Sequence, residues 1–132
     1  MRADRMSRPL LRVLLAEIGD GGAAAGLLGR LLRDEGMEVV YAGPLGTAEQ
    51  IVRTAEQEDP DALGVVVGTG TGVAGLEPLA GRLPDVHLFV LGTALDGVAH
   101  SGVRAFETAD EALGWLVGVR SHTGEAPSDR AR

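Results

Sequence analysis

The sequence predicts an α/β domain built on a parallel β-sheet, and three observations lead to this fold class. Short apolar runs alternate with amphipathic segments along the whole 132-residue chain. The runs lack polar alternation, so helices should cover both faces of the sheet. Glycine-rich turns follow several of the runs. Because crossovers between parallel strands are right-handed, few topologies remain. We predict the flavodoxin-like three-layer sandwich, with five parallel strands in the order 2-1-3-4-5.

Each predicted element has its own local signal. Strands are predicted at the apolar runs 11–17, 38–42, 62–67, 86–91 and 103–106. Helices are predicted at the amphipathic segments 23–35, 47–58 and 76–83, the last of them weak, and from residue 108 onward. Thr47 and Thr108 are each followed three residues later by Gln or Glu, which predicts two capping boxes. Gly36 is expected to end the first helix.

The domain organisation is predicted to be simple. Residues 1–9 form an arginine-rich arm, residues 10–120 form one α/β domain, and residues 121–132 form a polar tail that should be disordered. No apolar run approaches the roughly 18 residues of a membrane-spanning helix. The apolar run after the arm is too short for a signal peptide. The sequence therefore predicts a cytoplasmic protein without a membrane partner.

Composition excludes several classes of chemistry. The chain has no cysteine, which rules out disulfides and thiolate chemistry, and all twelve of its basic residues are arginine, which rules out Schiff-base lysines. Net charge is −7 and aromatic residues make up 3% of the chain. Without a basic stripe or stacking platforms, nucleic acid is not an expected partner. The three histidines are scattered and match no metal-binding motif.

The candidate ligand site lies where the first and third strands part, at their carboxyl ends. The glycine-rich loops that should meet there, with the turn after the fourth strand, contain Gly19, Asp20, Gly21, Gly22, Gly68, Thr69, Gly70, Thr71, Gly72, Gly92 and Thr93. The backbone N–H groups and hydroxyls of residues 68–72 could hold an anion, as glycine-rich loops do elsewhere, and residues 19–22 could approach a ligand closely. A flexible turn with no ligand explains residues 68–72 equally well.

Three side chains are candidates for acid–base catalysis at this edge. Glu17 and Asp20 end the first strand, and neighbouring carboxylates can divide acid and base roles. His100 follows the fourth strand and could act as a general base. The alternatives are that the two carboxylates are simply solvated, that Asp20 caps the first helix, and that His100 is an exposed loop residue.

Several stretches of the chain also resemble a known family. They are Arg12–Ala16, Asp34–Tyr41, Thr47–Val52 and Asp61–Gly64, and together they resemble the cobalamin-binding domain of the methylmalonyl-CoA mutase family, of the small-subunit type. The resemblance implies the flavodoxin-like fold predicted above. It also implies a D-x-H-x-x-G motif after the first strand, whose histidine is the lower axial ligand of cobalt.

The chain departs from that family at the residues that contact the cofactor. Asp20 matches the aspartate of the motif, but the histidine position falls on Gly22, or on Gly21 or Ala23 by other counts. The serine and leucine of the family's S-x-L motif, which pack on the nucleotide tail, correspond to Val66 and Gly68. The family's glycine pair reads Gly92-Thr93. The resemblance therefore implies a relative without the axial histidine.

Three functions remain open, in order of preference. The first is a relative that has lost base-off cobalamin binding and binds another small molecule, a larger partner subunit or a second copy of itself. The second is a small acid–base enzyme of the isomerase, dehydratase or cyclase type that uses the vacated crevice. The third is the small subunit of an acyl-CoA mutase that binds base-on cobalamin. The first hypothesis predicts that the chain carries no cofactor, and cobalamin is the one cofactor that remains possible, in the third hypothesis.

Overall fold

The computed structural model describes residues 10–68, 76, 78–93 and 103–124, with the backbone alone for 122–124. Strands and helices alternate over these residues. In chain order they are β1 Arg12–Ile18, α1 Gly22–Asp34, β2 Glu38–Pro44, α2 Ala48–Glu58, β3 Ala62–Val67, α3 Leu79–Arg82, β4 His87–Leu91, β5 Arg104–Phe106 and α4 Ala109–Gly124.

The five strands form one parallel sheet in the order β2-β1-β3-β4-β5, which confirms the predicted fold class. The central strand β3 is buried at every position, as the absence of polar alternation predicts. The edge strand β2 has no fully buried residue. Its register with β1 shifts between Leu15 and Ala16, where Gly43 adopts a φ of 78° that glycine tolerates without strain.

Successive strand residues point to opposite faces of the sheet, and this alternation builds two hydrophobic cores. One core joins the sheet to α2 and α3 and includes Leu14, Ile51, Leu63, Leu79 and Val90. The other joins the sheet to α1 and α4 and includes Leu15, Leu28, Leu32, Phe89 and Leu116. Fully burying one such side chain contributes about 1.5–3 kcal/mol. The stability of the domain is therefore carried mainly by these two layers.

Polar contacts fix the amino-terminal edge of the sheet. The backbone N–H of Arg12 donates to Asp61 Oδ2 at 2.8 Å, and Asp61 is only 5% exposed. The Arg12 guanidinium donates to the Glu58 carbonyl oxygen at 2.8 Å and forms an ion pair with Glu38 at 3.2 Å. These contacts join the starts of β1, β2 and β3 at the end of the sheet opposite the predicted site.

Both predicted capping boxes are present. Gln50 N donates to Thr47 Oγ1 at 3.1 Å and Glu111 N donates to Thr108 Oγ1 at 3.2 Å, with the reciprocal side-chain bonds also formed. Helix α3 is a single turn, shorter than the weak helix predicted at 76–83, because Gly81 lies within it and Pro84 follows it.

Helix α4 continues to Gly124, four residues beyond the predicted domain end at 120. Arg120 near its end donates to the Glu35 carbonyl oxygen at 2.5 Å and so ties α4 to the end of α1. The predicted arm at 1–9 and the tail residues 125–132 lie outside the described residues. In the part of the chain that is described, no helix is both long and apolar enough to cross a membrane.

Candidate functional site

The loops that follow the strands are tied together at the carboxyl edge of the sheet. Leu45 N donates to the Glu17 carbonyl oxygen at 3.0 Å, and Gly68 N donates to the Ile18 carbonyl oxygen at 2.8 Å. Gly19 then turns the chain with a φ of 70°, which glycine adopts without the cost that a side chain would impose. The two hydrogen bonds therefore join the last residues of β1 to the residues that follow β2 and β3.

Residues 19–22 lie directly on the end of β3. Gly21 is buried, and a Cβ at this position would come 2.5 Å from the carbonyl oxygen of Val66. Asp20 covers Gly68 so closely that a Cβ on Gly68 would overlap both its carboxylate and its backbone. Two of the predicted glycines are thus required for backbone packing. The positions that the family resemblance gives to the nucleotide tail, Val66 and Gly68, are in contact with this loop instead.

The two candidate carboxylates contact different neighbours. A Cβ on Gly22 would lie 3.2 Å from Glu17 Oε1, so the Glu17 carboxylate stands beside the first residue of α1. Asp20 is turned toward Gly68. The N-cap of α1 is Gly21 and receives no side-chain hydrogen bond, so the interpretation of Asp20 as the cap of this helix is wrong. These contacts give no support to a catalytic pair.

The start of α1 is open and lined by small residues. Gly22, Ala23 and Ala24 are exposed, and the first turn contains no acidic residue. The first N–H groups of a helix have no partner within the helix and carry the positive end of its dipole. By contrast, α2 begins with the Thr47 capping box. The carboxyl edge therefore presents exposed small residues and the first N–H groups of a helix next to one carboxylate.

The remaining predicted site residues divide into two groups. Gly92 and Thr93 follow β4 at the same edge, and Gly92 N donates to the Phe106 carbonyl oxygen at 2.9 Å. The others lie outside the described residues, and they are Thr69, Gly70, Thr71, Gly72 and His100. Over the ranges that are described, no cluster of three His, Cys, Asp or Glu residues could hold a metal ion.

His87 is at the far end of the sheet from this site. It begins β4, one residue after the predicted start at 86, and its ring meets Trp115 edge-on with centroids 6.2 Å apart. Trp115 also packs on Phe89 and Phe106 at centroid distances of 5.7 and 5.6 Å. Trp115 thus packs against the core that α4 forms with the sheet.

Comparison with known proteins adds two sequence relatives. The chain is 46% identical over 67 residues to the 2-hydroxyisobutanoyl-CoA mutase small subunit of Aquincola tertiaricarbonis, which is 49% of this chain and 49% of that protein. It is 43% identical over 61 residues to the pivalyl-CoA mutase small subunit of Xanthobacter autotrophicus, which is 45% of this chain and 40% of that protein. The chain thus matches no more than about half the length of these relatives.

Two solved structures share the fold. A cobalamin-binding protein of Desulfitobacterium hafniense superposes with a TM-score of 0.67 at 14% identity, over 80% of this chain and 57% of that one. The monomethylamine corrinoid protein of Methanosarcina barkeri superposes with a TM-score of 0.67 at 20% identity, over 82% and 57% of the two chains. No protein-family profile matches the chain.

The fold and the relatives point to one class of protein. The sequence relatives and the solved structures confirm the resemblance to the cobalamin-binding domains seen in the sequence. Within that class its sequence relatives are the small subunits of acyl-CoA mutases. The prediction that the chain carries no cofactor is wrong, because relatives and structural neighbours alike point to cobalamin. That prediction rested on the absence of a few motif residues.

Proposed function

We propose that this chain is the cobalamin-binding small subunit of an acyl-CoA mutase and works beside a larger subunit that holds the acyl-CoA. The observation that carries the proposal is the 46% identity to a mutase small subunit over 67 residues. The shared fold supports it, because in open α/β sheets ligands bind outside the carboxyl ends of the strands. In this chain that edge holds the exposed start of α1.

We further propose that the cofactor keeps its own nucleotide base on cobalt. Residues 19–22 of the loop read Gly-Asp-Gly-Gly and contain no nitrogen donor in any side chain. His87, at the amino-terminal end of β4, is too far along the sheet to replace one. Imidazole is the side chain that suits this ligand position, so base-on binding is the state that the residues of the loop fit.

The packing of the loop supports the same state. A nucleotide tail displaced from cobalt needs a groove in the protein, which the resemblance places beside Val66 and Gly68. Gly21 and Asp20 lie against these two residues. The loop would have to leave the end of β3 before a tail could enter between them. A nucleotide tail that stays folded under its own corrin ring needs no groove between the loop and the end of β3.

The corrin ring itself fits the open start of α1. Gly22, Ala23 and Ala24 would let the cofactor approach the backbone with its base folded beneath the ring, and the N–H groups of the first turn, which have no partner within the helix, would donate to the carbonyl oxygens of its amide side chains. Glu17, beside Gly22, would accept from an amide N–H of the same ring. When bound, cobalamin supplies the radical chemistry by which such mutases move a group between carbons.

The acid–base enzyme is the weaker candidate. It needs two carboxylates that act on one substrate, whereas Glu17 and Asp20 contact Gly22 and Gly68 respectively. The third group that it would use, His100, lies outside the described residues. The hypothesis of a different small-molecule ligand has no contact in its favour that cobalamin does not explain equally well.

An absorption titration with hydroxocobalamin and adenosylcobalamin, followed by desalting, tests the proposal. We expect the 132-residue chain to retain a coloured cofactor whose bands are those of the base-on form. Ala23→Glu should abolish retention because it places a charged side chain on the proposed docking surface. Ala105→Glu, on the exposed edge strand β5, is the matched control and should retain cobalamin. A colourless chain after desalting would refute the proposal.

A further inference from the structure

We propose that β5 is a docking edge for a second copy of this chain, with the two β5 strands paired antiparallel across a two-fold axis. β5 is the last strand on its side of the sheet, and its Arg104 and Ala105 are exposed. An exposed edge presents backbone N–H and C=O groups with which another strand can pair. The proposal concerns the assembly of the protein and does not depend on a bound cofactor.

The backbone of β5 fixes which residue would make the pairing. The Phe106 carbonyl oxygen accepts from Gly92 N at 2.9 Å, so the backbone groups of Phe106 point toward β4. Alternate residues of a strand direct their backbone groups to opposite sides, so those of Ala105 point away from the sheet. An antiparallel partner would therefore bond at Ala105, and the two-fold axis would pass between the two copies of this residue.

The side chain of Arg104 does not block this edge. Charged side chains on edge strands commonly prevent pairing with another sheet. Here the guanidinium lies over the Phe106 and Trp115 rings, with its central carbon 6.0 and 5.7 Å from the ring centroids. The side chain is thus held on the face of the sheet that α4 covers, and it leaves the backbone of Ala105 accessible.

The charges along this edge make it complementary to itself. Arg104 stands at the amino end of β5. Three exposed acidic residues follow the carboxyl end, and they are Glu107, Asp110 and Glu111. Antiparallel pairing brings the arginine of each copy to the acidic end of the other, and the two-fold axis makes both contacts at once. This self-complementarity is the reason that we assign the edge to a second copy and not to a different protein.

The opposite edge of the sheet is protected against such pairing. β2 shifts its register with β1 at Gly43 and ends at Pro44, which has no N–H to donate. Bulges and prolines are devices that keep edge strands from pairing. Neither occurs in β5. Of the two edges, β5 is therefore the one open to a second strand.

The expected dimer is weak because β5 has only three residues. Stable interfaces bury about 1,200–2,000 Å² in total, and smaller ones belong to transient contacts. We expect a dissociation constant on the order of 10–100 µM, so the chain should be a monomer well below this range. Sedimentation equilibrium from about 1 to 500 µM should show the 13.6 kDa chain giving way to a species of twice that mass. A monomer at every concentration would overturn the proposal.

Reversal of the charges tests the contacts between the copies. Arg104→Glu and Glu107→Arg should each raise the dissociation constant by about tenfold or more, because a symmetric dimer turns two attractions into two repulsions. The double variant restores opposite charges and should dimerise within about threefold of the unsubstituted chain. Arg30→Glu makes the same charge change on α1 and is the matched control. Equal effects of Arg104→Glu and Arg30→Glu, or no recovery in the double variant, would overturn the assignment.

A disulfide tests the register of the two strands. The chain has no cysteine, so Ala105→Cys introduces one thiol. In the proposed pairing the two Cα atoms would be about 5.5 Å apart, within the roughly 4.4–6.8 Å that a disulfide spans. Mild oxidation should link copies of Ala105→Cys at least about tenfold faster than copies of Gln57→Cys, whose thiol would be exposed on α2. Equal rates would show that the β5 strands are not paired in this way.

A backbone substitution separates pairing from folding. Ala105→Pro removes the outward N–H, and an edge strand tolerates proline where that group faces solvent. Ala105→Ser keeps the N–H and should dimerise as the unsubstituted chain does. Ala105→Pro should leave the circular dichroism unchanged and abolish the dimer, and a dimer that survives it would contradict the proposal. If a charge or proline variant fails to fold, the disulfide rates decide.

Discussion

Gly21 touches Val66 at the carboxyl edge of the sheet, and a single added methyl group would come 2.5 Å from the Val66 carbonyl oxygen. Because the neighbour is backbone, it cannot move aside as a side chain can. The loop after β1 is therefore packed on the end of β3, and this contact fixes the floor of the proposed cofactor site.

Gly21→Ala should destabilise the protein by about 1–3 kcal/mol, the range for overpacking at a close contact. The free energy of unfolding from urea denaturation is the measurement. Gly114→Ala is the matched control, because Gly114 is exposed within α4 and an added Cβ meets nothing within 4 Å. That substitution should stabilise the protein by about 0.5–1 kcal/mol. Equal effects of both changes would disprove the contact.

A close contact at the centre of the sheet leads to a second steric prediction. The Phe89 ring lies over Gly64 of β3, so closely that a Cβ at position 64 would enter the ring. Gly64→Ala should therefore cost about 1–3 kcal/mol of stability.

A double-mutant cycle would show whether Phe89 is the cause of that cost. Phe89→Leu alone should destabilise the protein by removing core contacts. In the Phe89→Leu background the further cost of Gly64→Ala should fall, because the smaller side chain leaves the space that the methyl group needs. Strictly additive effects would show that some other contact opposes the methyl group.

An exposed ion pair links α2 to α3, and it leads us to predict how the stability of the protein depends on pH. Arg82, hydrogen-bonded to Glu49 at 3.1 Å, holds the pKa of the Glu49 carboxyl below its usual value, and Arg53 adds to this at 3.7 Å. A lowered pKa contributes stability above the pKa of the unfolded state, and that contribution is lost as the pH falls through the folded value.

Arg82→Gln should therefore raise the Glu49 pKa toward its usual value, as a side-chain NMR titration would measure. Arg53→Gln should raise it less, and added salt should reduce the shift in the unsubstituted protein, because the pair is exposed. A Glu49 pKa that does not respond to Arg82→Gln would contradict this explanation.

The end of α4 supplies a capping contact to α1. Arg120 donates to the Glu35 carbonyl oxygen at 2.5 Å and pairs with the Glu35 carboxylate at 3.3 Å. Arg120→Ala should lower the free energy of unfolding by about 0.5–1.5 kcal/mol, the net value of a hydrogen bond in a partly exposed site. Glu35→Gln keeps the carbonyl acceptor and should cost less. A larger loss for Glu35→Gln would mean that the ion pair dominates.

The sequence predicted the fold because local signals and the global pattern agree. Apolar runs such as Ala62–Val67, the Thr47 and Thr108 capping boxes and the alternation of strands with helices all specify the same sheet. The strand order is confirmed because right-handed crossovers leave few choices.

The site was harder to predict because its contacts join residues far apart in the chain. Sequence spacing suggests that Glu17 and Asp20 act together. Because the chain turns at Gly19, the Glu17 carboxylate lies beside Gly22 and the Asp20 carboxylate lies beside Gly68. Nothing in the sequence shows that Gly21 must lie against Val66. The absence of a cofactor was predicted wrongly for a different reason, because it rested on four lost motif residues, whereas the scaffold is similar to that of cobalamin-binding domains.

The identity of the lower axial ligand tests the account most directly. The protein would be labelled uniformly with nitrogen-15, loaded with unlabelled cobalamin and reduced to the Co(II) state for electron paramagnetic resonance. The account predicts the triplet splitting of a nitrogen-14 nucleus, because the cofactor's own base stays on cobalt and residues 19–22 offer no nitrogen side chain. A doublet from nitrogen-15 would show that the protein supplies the ligand and would contradict the account.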